Sequence, residues 1–569
     1  MKHGAATAAA LIAMAGSGAR LSAGGTEAST NGNSGASEIV VTAPRTDLYG
    51  TEGVGPEVLH REGIAPTVDG ALEGMPGIDL TRRSFSGNDS QRLSIRGFDE
   101  SRSLVMLNGR SLHGAGVYGG YYIDWASLSV EDVNAVEVIR GLAPAKYGNT
   151  LGGVVNISTD AGSEERLTEI AAGGGSLGTW HSQFKHSGPF GPLTYSICAG
   201  RYETDGYLRN AFVERSMLSA RLGFALPADM ELNAGLRFTD TRAGMIVYNM
   251  LDAWDYDSGK PESLDYPLGG PYVSFREPHT GPLDWGDGSY WIDRRMNLDL
   301  GLRRDAERFG FALRTYLADE NREEYFYAAD DPGRLVLRRD TEPEKNNWGW
   351  RTDLRNRIGS EGRHVLEYGL EGQYLGYGEM TVRSADADYF RWLPEDSPSK
   401  DEPITMLHGV YAQDLWTIND RVQLQAGIRV DDYRADGPEA AAVTVEETEA
   451  GPRLACVVRP WDGGSAALRV GRAYRFPTNP EYYWWYAGYQ PDDRQDLTSE
   501  KAAQYEVELR QDLAAGLSLV ARGYYYRVRD YIRTIFGYKP SRVVYNIDRV
   551  DFGGLELEAR YDITSTLRL

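Results

Sequence analysis

The chain has 569 residues and a formal net charge of −22. That length allows a large core or several domains, and that charge excludes the strongly basic surface a nucleic-acid partner calls for. Tyr and Trp are plentiful, 35 and 12 against 15 Phe, beside 66 Gly, as suits a membrane barrel with aromatic girdles at both interfaces. Nowhere do ~18 apolar residues run together, so no transmembrane helix is predicted. Mean hydropathy is −0.45, which does not argue against barrel strands, because these hide their lipid-facing residues by alternation.

Residues 1–23 read as an export signal: Lys2 and His3, then an Ala-rich stretch, then small residues suited to cleavage near Ala19 or Ala23. Residues 24–49 form a flexible tail that opens with Gly, Ser, Thr, Ala and Asn. Within it lies a β-prone island: Glu38, Ile39, Val40, Val41, Thr42 and Ala43. An extended apolar segment on a loose tether can add as a strand to a partner's sheet edge.

Residues 50–160 form the next unit. Polar and apolar residues from Val58 to Gly74 recur at roughly helical spacing, broken by Gly63 and Pro66, which predicts two short helical turns. Three short apolar runs, Leu104–Leu107, Val136–Ile139 and Val154–Ile157, are bounded by Gly or Asn and predict buried strands. Asn108-Gly109 suits the two positive-φ positions of a type I′ hairpin.

Five pieces of this unit stand in order: MPGIDL (75–80), SIRGF (94–98), LVMLNG (104–109), VEVIRGLAPAKYG (136–148) and LGGVVNIST (151–159). Together they resemble the plug domain of TonB-dependent outer-membrane receptors. The resemblance implies an α+β plug folded inside a membrane β-barrel of about 22 strands. It also implies a Gram-negative outer-membrane location and active import of a scarce ligand. Glu38–Ala43 is similar to that family's TonB box, which implies a TonB-type energy-transducing partner in the inner membrane. Loops 82–90 and 110–122 correspond to the plug apices that meet ligand in the family. Arg82 and Arg83 would offer charge there, and Tyr118, Tyr121, Tyr122 and Trp125 would offer rings. The alternative for the aromatics is packing against the barrel wall. His113 reads as a solvent-facing loop residue rather than a haem ligand.

Residues 165–569 change texture. Val422–Val430, Tyr505–Arg510, Leu366–Gly376, Met296–Arg303, Met230–Thr239 and Leu555–Asp562 alternate apolar and polar with period two. Such segments, about 9–11 residues long, span a bilayer when tilted, and only a closed barrel satisfies their backbone groups in lipid. Short links are predicted near 188–192, 226–229, 304–308, 357–362, 417–421, 460–465, 511–516 and 563–566. Long loops are predicted at 249–290, 320–345, 383–403, 435–450 and 476–499. This pattern gives roughly sixteen strands with short periplasmic turns and long outer loops. Ala473–Thr478, Asp496–Lys501 followed by Tyr505-Glu506, and Phe552–Glu558 are similar to the family's barrel motifs. In the family, more strands follow the last of these, so a carboxyl-terminal truncation and an incomplete barrel are expected.

Cys198 and Cys456 are too few for a zinc site, and no disulfide between them is expected. No nucleophile–base or acid–base set appears, so the chain is read as a receptor without catalytic residues, bound metal or cofactor. The loop carrying Tyr482, Tyr483, Trp484, Trp485 and Tyr486 suits a flat or aromatic ligand, or else loop packing. The expected function is energised uptake of a ferric siderophore or similar iron chelate by a monomer seated in outer-membrane lipid. Cobalamin, haem and other metal chelates are alternatives, as is a passive barrel or adhesin.

Overall fold

The computed structural model describes residues 47–55, 59, 67–81, 92–112, 123, 125–159, 166–247, 249–252, 256–263, 286–328, 333–342, 347–359, 362–376, 379–384, 404–436, 444–482, 496–513, 516–536 and 542–561. The export signal and the island at 38–43 therefore lie outside the described residues.

The amino-terminal unit is built on a five-stranded sheet. Its strands are β1 (Glu52–Val54), β4 (Ser103–Leu107), β5 (Arg110–Ser111), β6 (Val133–Arg140) and β7 (Gly153–Thr159), in the order β1-β6-β7-β4-β5. A separate hairpin pairs β2 (Ile78–Thr81) with β3 (Arg92–Ile95). β7 is buried at every position, because it is the middle strand with the core on both faces. Val105, Val136, Val138, Val155 and Ile157 meet Val68, Leu72 and Trp125 in one apolar cluster. The three predicted apolar runs are all strands. Asn108 and Gly109 turn between β4 and β5 with φ of 52° and 77°, as a type I′ turn requires. The helical spacing before Gly74 yields a 3₁₀ segment, Val68–Leu72.

The large sheet comprises β8 (Leu167–Gly174), β9 (Trp180–Phe190), β10 (Leu193–Thr204), β11 (Val213–Leu226), β12 (Met230–Gly244), β13 (Tyr290–Asp305), β14 (Phe309–Tyr327), β15 (Leu335–Glu342), β16 (Asn347–Ile358), β17 (His364–Gly376), β18 (Glu379–Ser384), β19 (Ile404–Asn419), β20 (Val422–Asp436), β21 (Thr444–Trp461), β22 (Gly464–Arg475), β23 (Glu500–Asp512), β24 (Leu517–Phe536) and β25 (Arg542–Tyr561). They stand in the order of a closed barrel, with β25 next to β8. Antiparallel ladders with described register run from β8 round to β25.

β15 and β18 are not staves. β14 pairs with β16 along its lower half and with β15 along its upper half, and β15 in turn pairs with β18. The two make a flap that continues the wall at the long-loop end. Sixteen staves remain among the described strands, as the spacing of short links predicts. Two loop expectations need correction. Residues 320–342 are largely strand, not loop, and β21 already begins at Thr444, inside the predicted loop 435–450. Beyond the lipid the outward face of a strand meets water, so it no longer has to be apolar, while Arg322, Glu324 and Phe326 stay buried on the inner face. Arg-Glu-Glu-Tyr-Phe-Tyr therefore loses the apolar–polar alternation that marks the staves below.

The wall shows that alternation clearly. Leu468, Val507, Leu509, Ile428, Leu454 and Leu370 point out and are 40–53% exposed, while their neighbours Arg469, Glu506, Glu508 and Arg429 are buried inside. Outward Trp416, Trp461 and Phe309 sit near the short turns, and outward Trp348, Tyr525 and Tyr545 sit toward the long loops. These are the two interfacial girdles. Cys198 and Cys456 are both free, the first buried and the second on the outer face beside Leu454 and Val458.

Leu468→Arg, on the lipid face of β22, is expected to cost about 2–4 kcal/mol of barrel stability. Denaturant unfolding of the protein in lipid vesicles measures this loss.

Candidate functional site: the contact between plug and barrel

The amino-terminal unit meets the barrel interior through charge. Three plug arginines make the main contacts, and local backbone geometry aims each of them. Arg96 sits in a two-residue turn closed by hydrogen bonds in both directions between Ile95 and Phe98. Both central residues have positive φ, 51° at Arg96 and 82° at Gly97. A non-glycine residue there is strained, and the strain directs the guanidinium into the barrel wall. Arg96 Nε and Nη2 donate to the two oxygens of Glu556 at 2.8 and 3.1 Å. Its Nη1 donates to Tyr526 Oη at 2.6 Å and lies 3.3 Å from Glu506. Tyr526 donates onward to Glu506 at 2.7 Å, and the guanidinium stacks over Tyr524 at 4.5 Å.

Arg140 ends β6 and pairs with Glu52 of the plug, which also accepts from Arg522 of the barrel at 3.0 Å. The next residue, Gly141, has φ of 76°. A Cβ on it would lie 2.1 Å from Glu506 Oε1 and 2.2 Å from Tyr526 Oη, so only glycine fits beside the carboxylate. The following amide, Leu142 N–H, donates to Glu506 at 2.8 Å. Gly77, from the MPGIDL piece, is likewise pressed against Glu556, 2.5 Å from where its Cβ would be. Nearer the long loops, Arg102 donates to Glu500 at 2.7 Å and to Ile532 O at 2.6 Å. Glu500 also accepts from Arg475 at 2.7 Å, and Arg475 holds Glu481 at 2.9 Å.

The barrel answers with its own arginines, aimed mostly at plug main-chain carbonyls. Arg215 donates to Ala126 O at 2.9 Å, Arg314 to Asn108 O at 3.1 Å and Arg429 to Lys146 O at 3.2 Å. Arg453 donates to Ala143 O and Pro144 O at 2.7 and 2.6 Å, and Arg469 to Leu48 O. Arg237 pairs with Asp132 at 3.0 Å. Each carbonyl would otherwise be a buried polar group in a confined space.

Inside the plug, Glu100 is 2% exposed. It accepts from Leu93 N–H at 2.7 Å, Ile123 N–H at 2.9 Å and Trp125 Nε1–H at 2.6 Å. Burial pushes its carboxyl up to about 7, while Arg92 and these three donors pull the other way. The residue thus ties Leu93 of β3 to Ile123 and Trp125.

Of the predicted ligand-contacting residues, two are described. Trp125 is 1% exposed and lies in the plug core, so its ring presents no open face; its indole N–H is committed to Glu100. Tyr482 closes the short helix α1 (Asn479–Tyr482), is 1% exposed and donates to Glu447 at 2.9 Å. It packs with Tyr433 and Phe476. Both side chains are committed to buried partners. Arg82, Arg83, Tyr118, Tyr121, Tyr122, Tyr483, Trp484, Trp485 and Tyr486 lie outside the described residues. The ionic contacts were not foreseen. A signal for them existed: Arg96, Arg140, Glu500, Glu506 and Glu556 all fall within the motif pieces.

Arg96→Ala is expected to cost about 3–5 kcal/mol, because Glu506 and Glu556 lose a buried cation. Hydrogen exchange at 92–98 and 141–153 should quicken while strands β10–β13 are unchanged. Glu100 provides a pH test. Its folded carboxyl holds a proton more tightly than the ordinary value of 4.5. Its contribution to stability is therefore full below about pH 4.5 and lost as pH rises through about 7. Opening at the Leu93 and Ile123 amides should be easier at pH 8 than at pH 5, by up to about 3 kcal/mol. Glu100→Gln should flatten that difference.

The family models agree with this architecture. Residues 42–154 match the TonB-dependent Receptor Plug Domain, and residues 248–569 match the TonB dependent receptor-like β-barrel. The chain is 28% identical over 176 residues to the vitamin B12 transporter of Photobacterium profundum, covering 30% of this chain and 28% of the relative. It is 26% identical over 233 residues to the ferrienterobactin receptor of Escherichia coli, covering 39% and 26%. These matches thus span under a third of each relative's length. In three dimensions it is similar to the ferric yersiniabactin uptake receptor of Yersinia pestis, with TM-score 0.66, 18% identity and coverage of 91% and 77%. A copper transporter gives TM-score 0.70, 17% identity and coverage of 92% and 78%. Those two likenesses speak for the fold alone. Members of this family are receptors and transporters rather than enzymes. The chain belongs to the TonB-dependent receptor family, Gram-negative outer-membrane β-barrels that carry their own amino-terminal plug.

Proposed function

We propose that this protein imports a scarce metal chelate, foremost a ferric siderophore, with energy supplied through a TonB-type protein. The observation that carries the reading is the kind of contact between plug and barrel. Paired charges and arginine–carbonyl bonds hold the plug, beside small apolar patches such as Phe98 and Leu151 against Tyr526 and Phe552. Polar contacts of this sort can be exchanged for water when the plug shifts. A permanent seal would favour a continuous apolar contact. The names of the relatives, a ferrienterobactin receptor and a vitamin B12 transporter, support uptake and keep cobalamin as the second reading.

In this reading Glu38–Ala43 is the strand that the energy-transducing partner grips. Force along the tail reaches β1, whose Glu52 joins Arg140 to Arg522. The ligand is met by Arg82, Arg83, Tyr118, Tyr121 and Tyr122 at the plug apex and by Tyr483–Tyr486 in the outer loop.

Deleting Glu38–Ala43 is expected to abolish uptake and leave surface binding intact; a passive barrel or adhesin would lose neither. Growth of a receptor-deficient strain on a panel of ferric siderophores, cobalamin and haem identifies the cargo.

A further inference from the structure

The outward face of the barrel is not charged alike around its outer rim. On β10–β15 the rim arginines Arg201, Arg242, Arg294 and Arg338 each bind at least one carboxylate; Arg294 holds Asp240 and Glu323 at 3.4 and 2.6 Å. On β22–β25 the pattern changes. Tyr505 and Tyr525 face each other across β23 and β24 at the outer girdle. Two residues further up, Arg527 stands between Ala503 and Asp551. Two further still, Lys501, Arg529 and Arg549 stand in register, side by side on three neighbouring strands. These side chains share the outward face, because alternate residues of a strand point the same way. Like charges directly opposite one another destabilise a sheet, so the bare row is unfavourable.

The carboxylates nearby do not neutralise it. Asp551 accepts from Tyr525 Oη at 2.9 Å and pairs with Arg549 at 2.6 Å and Arg527 at 3.6 Å. Lys501 lies 3.4 Å from Glu449 and 3.7 Å from Asp530, and Glu449 also pairs with Arg472 at 2.5 Å. Five cations, Arg472, Lys501, Arg527, Arg529 and Arg549, thus meet three carboxylates, Glu449, Asp530 and Asp551, an excess of two. Asp548 alternates to the other face of β25. Arg529 is exposed, and its side chain has no ion pair or hydrogen bond among the described residues.

The row has a definite depth. A strand tilted by about 45° climbs about 5 Å per outward step, which puts Arg527 and the row about 5 and 10 Å beyond the tyrosine rings. Headgroups occupy about 5–7 Å outside the hydrocarbon, and the long stems of arginine and lysine carry their charged ends to that layer.

We propose that the outward face of β22–β25 binds a phosphate-bearing lipid headgroup of the outer leaflet, with Arg529 and Arg549 as its principal ligands and Lys501 beside them. Guanidinium groups hold phosphate oxygens in pairs, and each basic side chain beside an anionic lipid surface adds to the attraction. The phosphate relieves the repulsion along the row. The occupant is a lipid rather than a free anion because the site is an open wall turned toward the headgroups, with the tyrosine pair beneath it to meet the acyl chains. It lies apart from the plug and does not depend on the uptake reading.

The test titrates diphosphorylated lipid A into the full chain purified in non-ionic detergent and counts bound lipid by native mass spectrometry. Arg529→Gln/Arg549→Gln should need about tenfold more lipid for half-occupancy, and salt should weaken binding to the parent. Dephosphorylated lipid A should bind the parent no better than that variant binds the phosphorylated form. Arg294→Gln/Arg338→Gln, on the balanced rim, should bind as the parent does, and Arg529→Lys/Arg549→Lys, which keeps the charge, nearly so. Inorganic phosphate equimolar with the lipid should leave it in place. The site is overturned by equal half-occupancy in the parent and Arg529→Gln/Arg549→Gln, by an equal loss in Arg294→Gln/Arg338→Gln, or by indifference to the lipid's phosphates. A loss as large in the lysine variant overturns charge as the cause, and displacement by inorganic phosphate overturns the lipid as occupant.

Discussion

A carboxylate or guanidinium taken out of water inside a protein costs several kcal/mol unless a partner meets it. Glu506 and Glu556 hang from the inner wall of β23 and β25, and Arg96 hangs from a strained turn of the plug. Neither side is tolerable alone in that space. The pairing therefore sets where the plug sits, and nearby requirements follow from it. Gly77 and Gly141 must lack side chains because the carboxylates occupy the volume. Arg96 must adopt a positive φ to reach both acids. The motif pieces are separated in sequence yet converge within this one contact.

The rest of the plug is held differently. Barrel arginines bind its backbone carbonyls, so the grip depends on the path of the chain more than on its side chains. The loop from Ala143 to Lys146 is the main recipient, through Arg453, Arg429 and Arg351. Such a seam is strong in sum and made of separable parts. Ion pairs reach the plug from both flanks, Arg96 with Glu506 and Glu556 on one side and Arg237 with Asp132 on the other.

Much of the fold was legible in residue order. Period-two alternation marked the staves, because lipid outside and plug or water inside impose opposite demands on successive residues. Seven of the predicted short links fall where strands turn, and Asn108-Gly109 forms the turn its chemistry favours. The reading failed where that contrast vanishes. Tyr327 and Thr444 lie in strands above the lipid, where the outward face meets water and charged residues fill the inner one, so apolar–polar patterning carries no signal there. Trp125 shows another limit: a ring beside a glycine-rich loop looks exposed in sequence, yet a single buried acceptor, Glu100, draws its indole into the core.

Sequence by itself determined the class of this molecule: a barrel wall, a plug built on three apolar runs, and the motif residues that carry charge. Each of these rests on local physics, either side-chain alternation or backbone turn preference. Only the tertiary structure decided which charges meet. Arg96 and Glu556 are 460 positions apart, and no local pattern can say that one guanidinium is held between Glu506 and Glu556. That choice is made by the barrel wall, which brings β23–β25 round to the plug and lets desolvation select the partners.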